Sequence, residues 1–240
     1  MPDGTSRRRF VTGGLAAAGA LAATTLPGTG SSGLAFAESP TAAPPKDADE
    51  ALARLLSGNQ RFVKGKLQNP RRESVRRTEV AQGQKPFAII LTCSDSRLVP
   101  EVVFDEGLGD LFVVRVAGNT GSDPLVIGTM EYAALNFGSV LLMVLGHEDC
   151  GAVKGAIDVV TKGTTLPGEV SAVTQPIEPA VRAVQTQPAD QLLDAAIREN
   201  ITTTTRRLGQ VATFAQLVQD GKLKVVGYEY LLHSGKVTAA

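Results

Sequence analysis

The chain has 240 residues, with 24 basic and 24 acidic side chains, and therefore carries no formal net charge at neutral pH. Because it has no basic surplus, nothing in its charge favours a nucleic-acid partner, and its length is sufficient for one domain with a sizeable core. It contains only two cysteines, Cys93 and Cys150, and two histidines, so few combinations of soft metal ligands exist.

The first 37 residues have the features of an export signal. The segment Ser6–Val11 resembles the twin-arginine motif, an apolar run extends to about Leu26, and Ala35-Phe36-Ala37 offers a cleavage site before Glu38. A basic tail with an alanine-rich helix is the simpler alternative, but these three features occur in the order that export requires. We therefore predict a signal peptide over residues 1–37, delivery to the periplasm, cell envelope or medium, and no stable membrane span after signal removal.

The rest of the chain alternates apolar, strand-like runs with helical patterns. A disordered lead-in is predicted over residues 38–46, followed by a helix from Asp47 to Lys64 that Asp47 can cap. The other expected elements are the strands Phe87–Leu91, Leu111–Val116, Val140–Leu145 and Leu223–Tyr230, the helices Leu125–Phe137, Cys150–Val160, Gln191–Leu208 and Val211–Asp220, and a final hairpin through Ser234-Gly235. This alternation predicts an α/β domain over residues 47–240, with a central, mostly parallel sheet flanked by helices.

Two short motifs place reactive side chains directly after apolar runs. The first, Cys93-Ser94-Asp95-Ser96-Arg97, follows the run that ends at Leu91, and the second, His147-Glu148-Asp149-Cys150, follows the run that ends at Leu145. Because ligand sites of open α/β sheets lie at the carboxyl ends of strands, both motifs are expected at one sheet edge. Two thiolates, one imidazole and one carboxylate are all candidate zinc ligands.

With these motifs in place, the chain resembles the β-class carbonic anhydrases from about Asn59 to Val237. The resemblance rests on the ordered set Cys93-x-Asp95-x-Arg97, Gly109–Arg115, Ala117-Gly118-Asn119, Glu131-Tyr132-Ala133 and Gly146-His147-x-x-Cys150-Gly151. It implies a zinc enzyme that reversibly hydrates CO2 to bicarbonate and a proton through zinc-bound hydroxide. It also implies a homodimer or higher homo-oligomer with sites near the subunit interface. Val116 departs from the asparagine that the family often has there, and we expect Val116 to face packing.

The resemblance implies that Cys93, His147 and Cys150 bind zinc and that Asp95 and Arg97 form a catalytic dyad. Two cysteines and one histidine leave one coordination position for water, as in catalytic zinc sites. Asp95 is expected to stay off the metal while Arg97 holds it in a bidentate, charge-assisted pair, and to become a ligand only in a closed site.

Three more residues match the plant-like branch of the family by position. Gln84 lies nine residues before Cys93, Phe112 fifteen after Arg97, and Tyr132 fifteen before His147. In that branch the matching residues line the CO2 pocket, the amide bonding a substrate oxygen and the rings excluding water. Taken singly, Phe112 and Tyr132 would be read as core residues and Gln84 as a loop residue. Their joint spacing favours a role in the pocket.

Other readings of the motifs remain open at this point. A Cys93–Cys150 disulfide is plausible in an exported protein but leaves His147, Asp95 and Arg97 unexplained. A structural zinc site with Asp95 as fourth ligand would have no activity, and hydrolysis of CS2 or COS on the same scaffold is the nearest enzymatic rival. The arginine pairs 71–72 and 76–77 are expected on a solvated loop and helix face, Gly118 and Asn119 in a turn, and His233 on the surface.

Overall fold

The structure, a computed structural model, describes residues 43–240, so the predicted export signal and most of the predicted lead-in lie outside it. The strands are β1 (Ala88–Thr92), β2 (Leu111–Arg115), β3 (Leu141–His147), β4 (Lys224–Tyr230) and β5 (Val237–Ala239). The helices are α1 (Ala48–Val63), α2 (Ser74–Val80), α3 (Pro100–Val103), α4 (Pro124–Phe137), α5 (Gly151–Lys162), α6 (Val170–Thr174), α7 (Glu178–Val184), α8 (Leu192–Gln210) and α9 (Ala212–Gln219). A single 3₁₀ turn, Ala117–Asn119, follows β2.

The five strands form one sheet in the order β2-β1-β3-β4-β5. All pairs are parallel except β4 with β5, which closes the predicted hairpin. The central strands β1 and β3 are completely buried, as expected for parallel strands covered on both faces. The predicted α/β fold with a mostly parallel sheet is therefore confirmed.

Helices cover both faces of the sheet and divide the core into two layers. One layer packs α4, α5, α7, α8 and α9 against Ile89, Leu91 and their neighbours on one face. The other packs α1 and α3 against Ile90 and Met143 on the opposite face. Because successive side chains of a strand point to opposite faces, adjacent residues of β1 contribute to different layers.

Two predicted helix ends are confirmed by their capping geometry. Asp47 accepts hydrogen bonds from the backbone N–H groups of Asp49 and Glu50, at 3.0 and 2.8 Å, and thereby caps α1. Gly138 ends α4 with a φ of 67°, a left-handed conformation that glycine adopts without the steric cost of a Cβ.

One expectation about the surface is wrong. Arg71 does not lie on a solvated loop: its side chain is 11% exposed and bonds the carboxylates of Asp110 and Glu106, at 2.6 and 2.8 Å. Arg54 also bonds Glu106, at 2.6 Å. Burial raises the pKa of the Glu106 carboxyl, and the two guanidinium groups oppose this shift. These side chains thus form a buried ion network that connects the segment before β1 to the start of β2. Its members are Arg54, Arg71, Glu106 and Asp110.

Across residues 43–240, no helix combines the length and apolar character needed to span a bilayer.

Candidate metal centre

The two motifs meet at the carboxyl edge of the sheet, as predicted. Cys93 directly follows β1, and His147 is the last residue of β3. These strands are adjacent and parallel, with Thr92 opposite Leu145, so Cys93 and His147 leave the sheet side by side. The Thr92 hydroxyl donates to the Leu145 carbonyl at 2.8 Å and ties the two strands together just before the site.

Cys150 is brought to the same point by a tight turn. Asp149 has a φ of 59°, a left-handed conformation that aspartate tolerates better than most residues, and the chain then enters α5 with Cys150 at its N-cap. The candidate ligand atoms of Cys93, His147 and Cys150 lie within 4.8 Å of one another, and all three residues are buried. The structure therefore brings together the three residues expected to bind zinc.

The orientation of the His147 ring fits a metal ligand. Its Nδ1 lies 2.6 Å from the carbonyl oxygen of Glu148, and this geometry makes Nδ1 the donor and fixes the tautomer. The other nitrogen, Nε2, is buried and has no hydrogen-bond partner within the described part of the chain. An unpaired buried nitrogen is costly unless something binds it, and the ligand atoms of both cysteines lie within 4.8 Å of a nitrogen of this ring. The donor set therefore fits a zinc ion.

The two thiols lie within hydrogen-bonding reach of each other and shift each other's pKa in opposite directions. The hydrogen bond from Cys150 lowers the pKa of Cys93, whereas the same hydrogen bond, burial and the charge of Cys93 raise the pKa of Cys150. A bound divalent cation would hold both cysteines as thiolates, because the thiolate is the form that binds metals.

Asp95 lies beside the three candidate ligands but is held by Arg97. Its Oδ2 is 3.9 Å from His147 Nε2 and 2.7 Å from Arg97 Nη2, while its Oδ1 accepts from Arg97 Nε at 2.9 Å. The hydrogen bonds from Arg97 hold the pKa of Asp95 well below its usual range, so Asp95 is a carboxylate at physiological pH. Its position fits the predicted dyad.

Several contacts at the site were not singled out in the sequence. Asp149 lies 3.6 Å from Arg97 Nη1 and also pairs with Lys154, so it links the second motif to the first. The Gly118 N–H donates to Cys93 Sγ at 3.3 Å, and Gly118 has a φ of 71°. The expected turn at Gly118 and Asn119 is therefore present and also contacts a candidate ligand.

The three pocket residues of the sequence analysis lie away from this cluster. Gln84 is exposed and precedes β1, whereas Cys93 follows β1. The five residues of β1 span about 16 Å, so Gln84 and Cys93 lie beyond opposite ends of this strand. Phe112 and Tyr132 both pack against Phe137, with ring centroids 5.9 and 5.5 Å away, and Tyr132 is 55% exposed. Phe112 sits opposite Ile89, about 13 Å along β1 from Cys93.

Two other expectations agree with the structure. Val116 is partly buried and packs against the core layer that contains Cys93 and Cys150. The His233 side chain is 96% exposed, at the turn before β5.

Comparison with known proteins gives one consistent family. The profile of the carbonic anhydrase family matches residues 88–237. Carbonic anhydrase 2 of Mycobacterium tuberculosis is 36% identical over 186 residues, which cover 78% of this chain and 89% of that protein. The carbonic anhydrase of Mycolicibacterium smegmatis is 35% identical over 188 residues, which cover 78% of this chain and 90% of that protein.

Solved structures agree with this comparison. The β-carbonic anhydrase CcaA is 28% identical and superposes with a TM-score of 0.63, over 79% of this chain and 94% of that chain. A tetrameric β-carbonic anhydrase from Sordaria macrospora shares the fold, with 21% identity and a TM-score of 0.62 over 79% and 96% of the two chains.

Proposed function

We propose that this chain, which belongs to the β-class carbonic anhydrase family, binds zinc through Cys93, His147 and Cys150 and interconverts CO2 and bicarbonate. The observation that carries this proposal is the buried cluster of two thiols and one imidazole nitrogen, whose Nε2 has no other partner among residues 43–240. Two sulfurs and one nitrogen leave a fourth position open in a tetrahedral site.

Zinc in such a site supplies a Lewis acid that lowers the pKa of a bound water from about 15.7 to near 7. The chain's own residues prepare the site for this chemistry. The Glu148 carbonyl fixes the His147 ring, and the Gly118 N–H fixes the Cys93 sulfur. All three ligand residues are buried, and the partly exposed Asp95 lies beside them.

Asp95 acts as a hydrogen-bond acceptor that orients the attacking oxygen. Arg97 donates two hydrogen bonds to Oδ1 and one to Oδ2, so Oδ2 keeps a second lone pair, and Oδ2 lies 3.9 Å from His147 Nε2. A carboxylate that accepts a hydrogen bond from the reacting oxygen would leave a lone pair of that oxygen directed at the CO2 carbon. The Asp95–Arg97 pair supports an open site of the plant-like kind.

The substrate pocket is completed by a second copy of the chain. Gln84 lies at the amino end of β1 and cannot reach the cluster at its carboxyl end within one subunit. Leu125, Tyr132 and Leu135 expose 79%, 55% and 64% of their surface along one side of α4. The exposure of this apolar face supports a homodimer, or a larger assembly built from it, in which Gln84, Phe112 and Tyr132 line the partner's site.

The same enzyme is proposed to work outside the cytoplasm. This part of the proposal rests on the order of features in residues 1–37: the arginine motif, the apolar run and the small-residue cleavage site.

Metal analysis and a CO2 hydration assay on the same preparation test the function. We expect about one zinc per chain and CO2 hydration that disappears when a chelator removes the metal. Zinc-loaded protein that hydrolyses CS2 or COS but does not hydrate CO2 would replace the proposal with the rival hydrolase. Zinc-loaded protein without any of these activities would indicate a structural site.

A further inference from the structure

We propose that Arg115 is a positioning residue for the metal centre: its guanidinium group fixes the ligand loop, residues 93–98, through three backbone carbonyls. The inference rests on the proposed zinc function, because the loop carries both Cys93 and the Asp95–Arg97 pair.

Arg115 is the last residue of β2 and lies opposite Thr92, the last residue of β1. Its Nε donates to the Cys93 carbonyl at 3.1 Å. Its Nη2 donates to the carbonyls of Asp95 and Leu98, at 2.7 and 2.9 Å. One side chain therefore contacts the start, the middle and the end of the ligand loop.

These contacts require an arginine. The loop leaves the sheet at Cys93, where ladder hydrogen bonds end, so its carbonyls need other donors. A guanidinium group presents five N–H donors in a rigid fork and can reach three oxygens at once, whereas a lysine offers three donors on one nitrogen. Its charge also strengthens each bond and opposes the negative charge of the thiolates and Asp95 nearby.

Asp95 is consequently held at both ends by two different arginines. Arg97 binds its carboxylate, and Arg115 binds its backbone carbonyl. Arg97 belongs to the same loop as Asp95, whereas Arg115 belongs to the sheet. Arg115 thus positions the dyad and Cys93 relative to the sheet, which also carries His147.

The test compares Arg115→Lys with a matched variant, Arg72→Lys. Arg72 also donates to backbone carbonyls, those of Glu101 and Glu106, but these lie outside the ligand loop.

Three quantities are measured for each zinc-loaded protein: the rate of zinc release to a chromophoric chelator, kcat and KM for CO2 hydration, and the midpoint of thermal unfolding. Arg115→Lys should release zinc about 10- to 100-fold faster and lower kcat by a similar factor, with KM less affected, because losing a group that supports metal ligands typically has an effect of this size. Arg72→Lys should match the wild type in zinc release and kcat.

Equal zinc release and kcat in Arg115→Lys and the wild type would overturn the positioning role. So would equal losses in Arg115→Lys and Arg72→Lys, because they would reflect general destabilisation. If Arg115→Lys does not fold, Arg115→Gln takes its place, and failure of both would assign Arg115 to general stability. Wild-type protein without zinc or CO2 hydration would instead refute the proposed function, which keeps the two failures distinct.

Discussion

Arg97 holds the Asp95 carboxylate by both oxygens, with Nη2 2.7 Å from Oδ2 and Nε 2.9 Å from Oδ1. The Arg97 backbone N–H adds a third hydrogen bond, at 2.9 Å to Oδ1. A carboxylate held in this way is presented beside the ligand cluster without being free to enter it. In the proposed mechanism, this pair determines whether Asp95 assists the reaction or becomes the fourth ligand itself.

The first prediction is that Arg97→Ala closes the site. Asp95, without its cation partner, should turn to the metal and displace the water ligand, so that CO2 hydration falls about 10- to 100-fold while zinc content is kept. Arg182→Ala is the control, because Arg182 pairs only with Glu178 on the surface of α7 among the described residues. The visible spectrum of the cobalt-substituted protein reports the change of ligand. Full activity and an unchanged cobalt spectrum in Arg97→Ala would contradict this account of the dyad.

The second prediction concerns the shared pocket and uses hybrid dimers. Gln84→Leu and Cys150→Ser should each strongly reduce activity when both subunits carry the change. If Gln84 serves the partner's site, a hybrid of one Gln84→Leu chain and one Cys150→Ser chain has one intact site. Purified hybrids, isolated by two different tags, should therefore recover about half of the wild-type activity per dimer.

Hybrids as inactive as the parent variants would show that Gln84 acts within its own chain. A separate control addresses the interface: Leu135→Asp on α4 should produce monomers, whereas Val170→Asp on α6 should not, although Val170 is also exposed. Size-exclusion chromatography with light scattering measures both.

The third prediction is that Arg71 stabilises the domain through the buried ion network. Arg71→Ala leaves the buried carboxylates of Glu106 and Asp110 short of a cation, and should lower the free energy of unfolding by about 3 kcal/mol. Arg77→Ala, on the exposed side of α2, should change it little. Urea unfolding of the two variants gives the comparison, and equal losses would show that the network is not a major source of stability.

Local patterns in the sequence predict much of the fold. The buried runs, the Asp47 cap and Gly138 locate their elements within one or two residues, because these signals act over a few residues. The ends of the strands are less exact: β1 includes Thr92 and β3 extends to His147, because ladder hydrogen bonds continue past the last apolar residue. The short helices α3, α6 and α7 were not predicted, since one or two turns carry too little periodicity.

Only part of the candidate site could be predicted from local patterns in the sequence. The three candidate ligands and the Asp95–Arg97 pair could be located because reactive side chains followed two buried strands. The burial of Arg71 could not be predicted, because an arginine pair in a polar segment indicates a solvated loop. The carboxylates that bind Arg71 lie 35 and 39 residues away in the sequence. The contacts of Arg115 are equally non-local, joining the end of β2 to the loop after β1.

The fourth prediction is that zinc protects the two thiols and must bind before export. Two sulfurs about 2.3 Å from one tetrahedral ion are about 3.8 Å apart. Without the ion, a modest motion reaches the roughly 2.05 Å of a disulfide. An oxidant outside the cytoplasm would then take two electrons from the thiols, which also lose two protons. Redirecting the domain through a route that exports unfolded chains should yield a zinc-free fraction with a Cys93–Cys150 disulfide.

Thiol labelling and metal analysis of the two exported preparations measure this. Equal zinc content by both routes, with both cysteines free to react after denaturation, would show that the order of folding and export does not matter.

We propose that Cys93, His147 and Cys150 hold a zinc ion with its fourth position open. The direct test of this zinc site is anomalous scattering at the zinc edge, from crystals of active protein near pH 7.5. The account predicts one zinc ion, with both sulfurs at about 2.3 Å, His147 Nε2 at about 2.0 Å and a solvent oxygen as the fourth ligand. Asp95 should remain paired with Arg97. An Asp95 oxygen at about 2.0 Å from the metal would contradict the open site, and zinc bound elsewhere in active protein would contradict the assignment of the ligands.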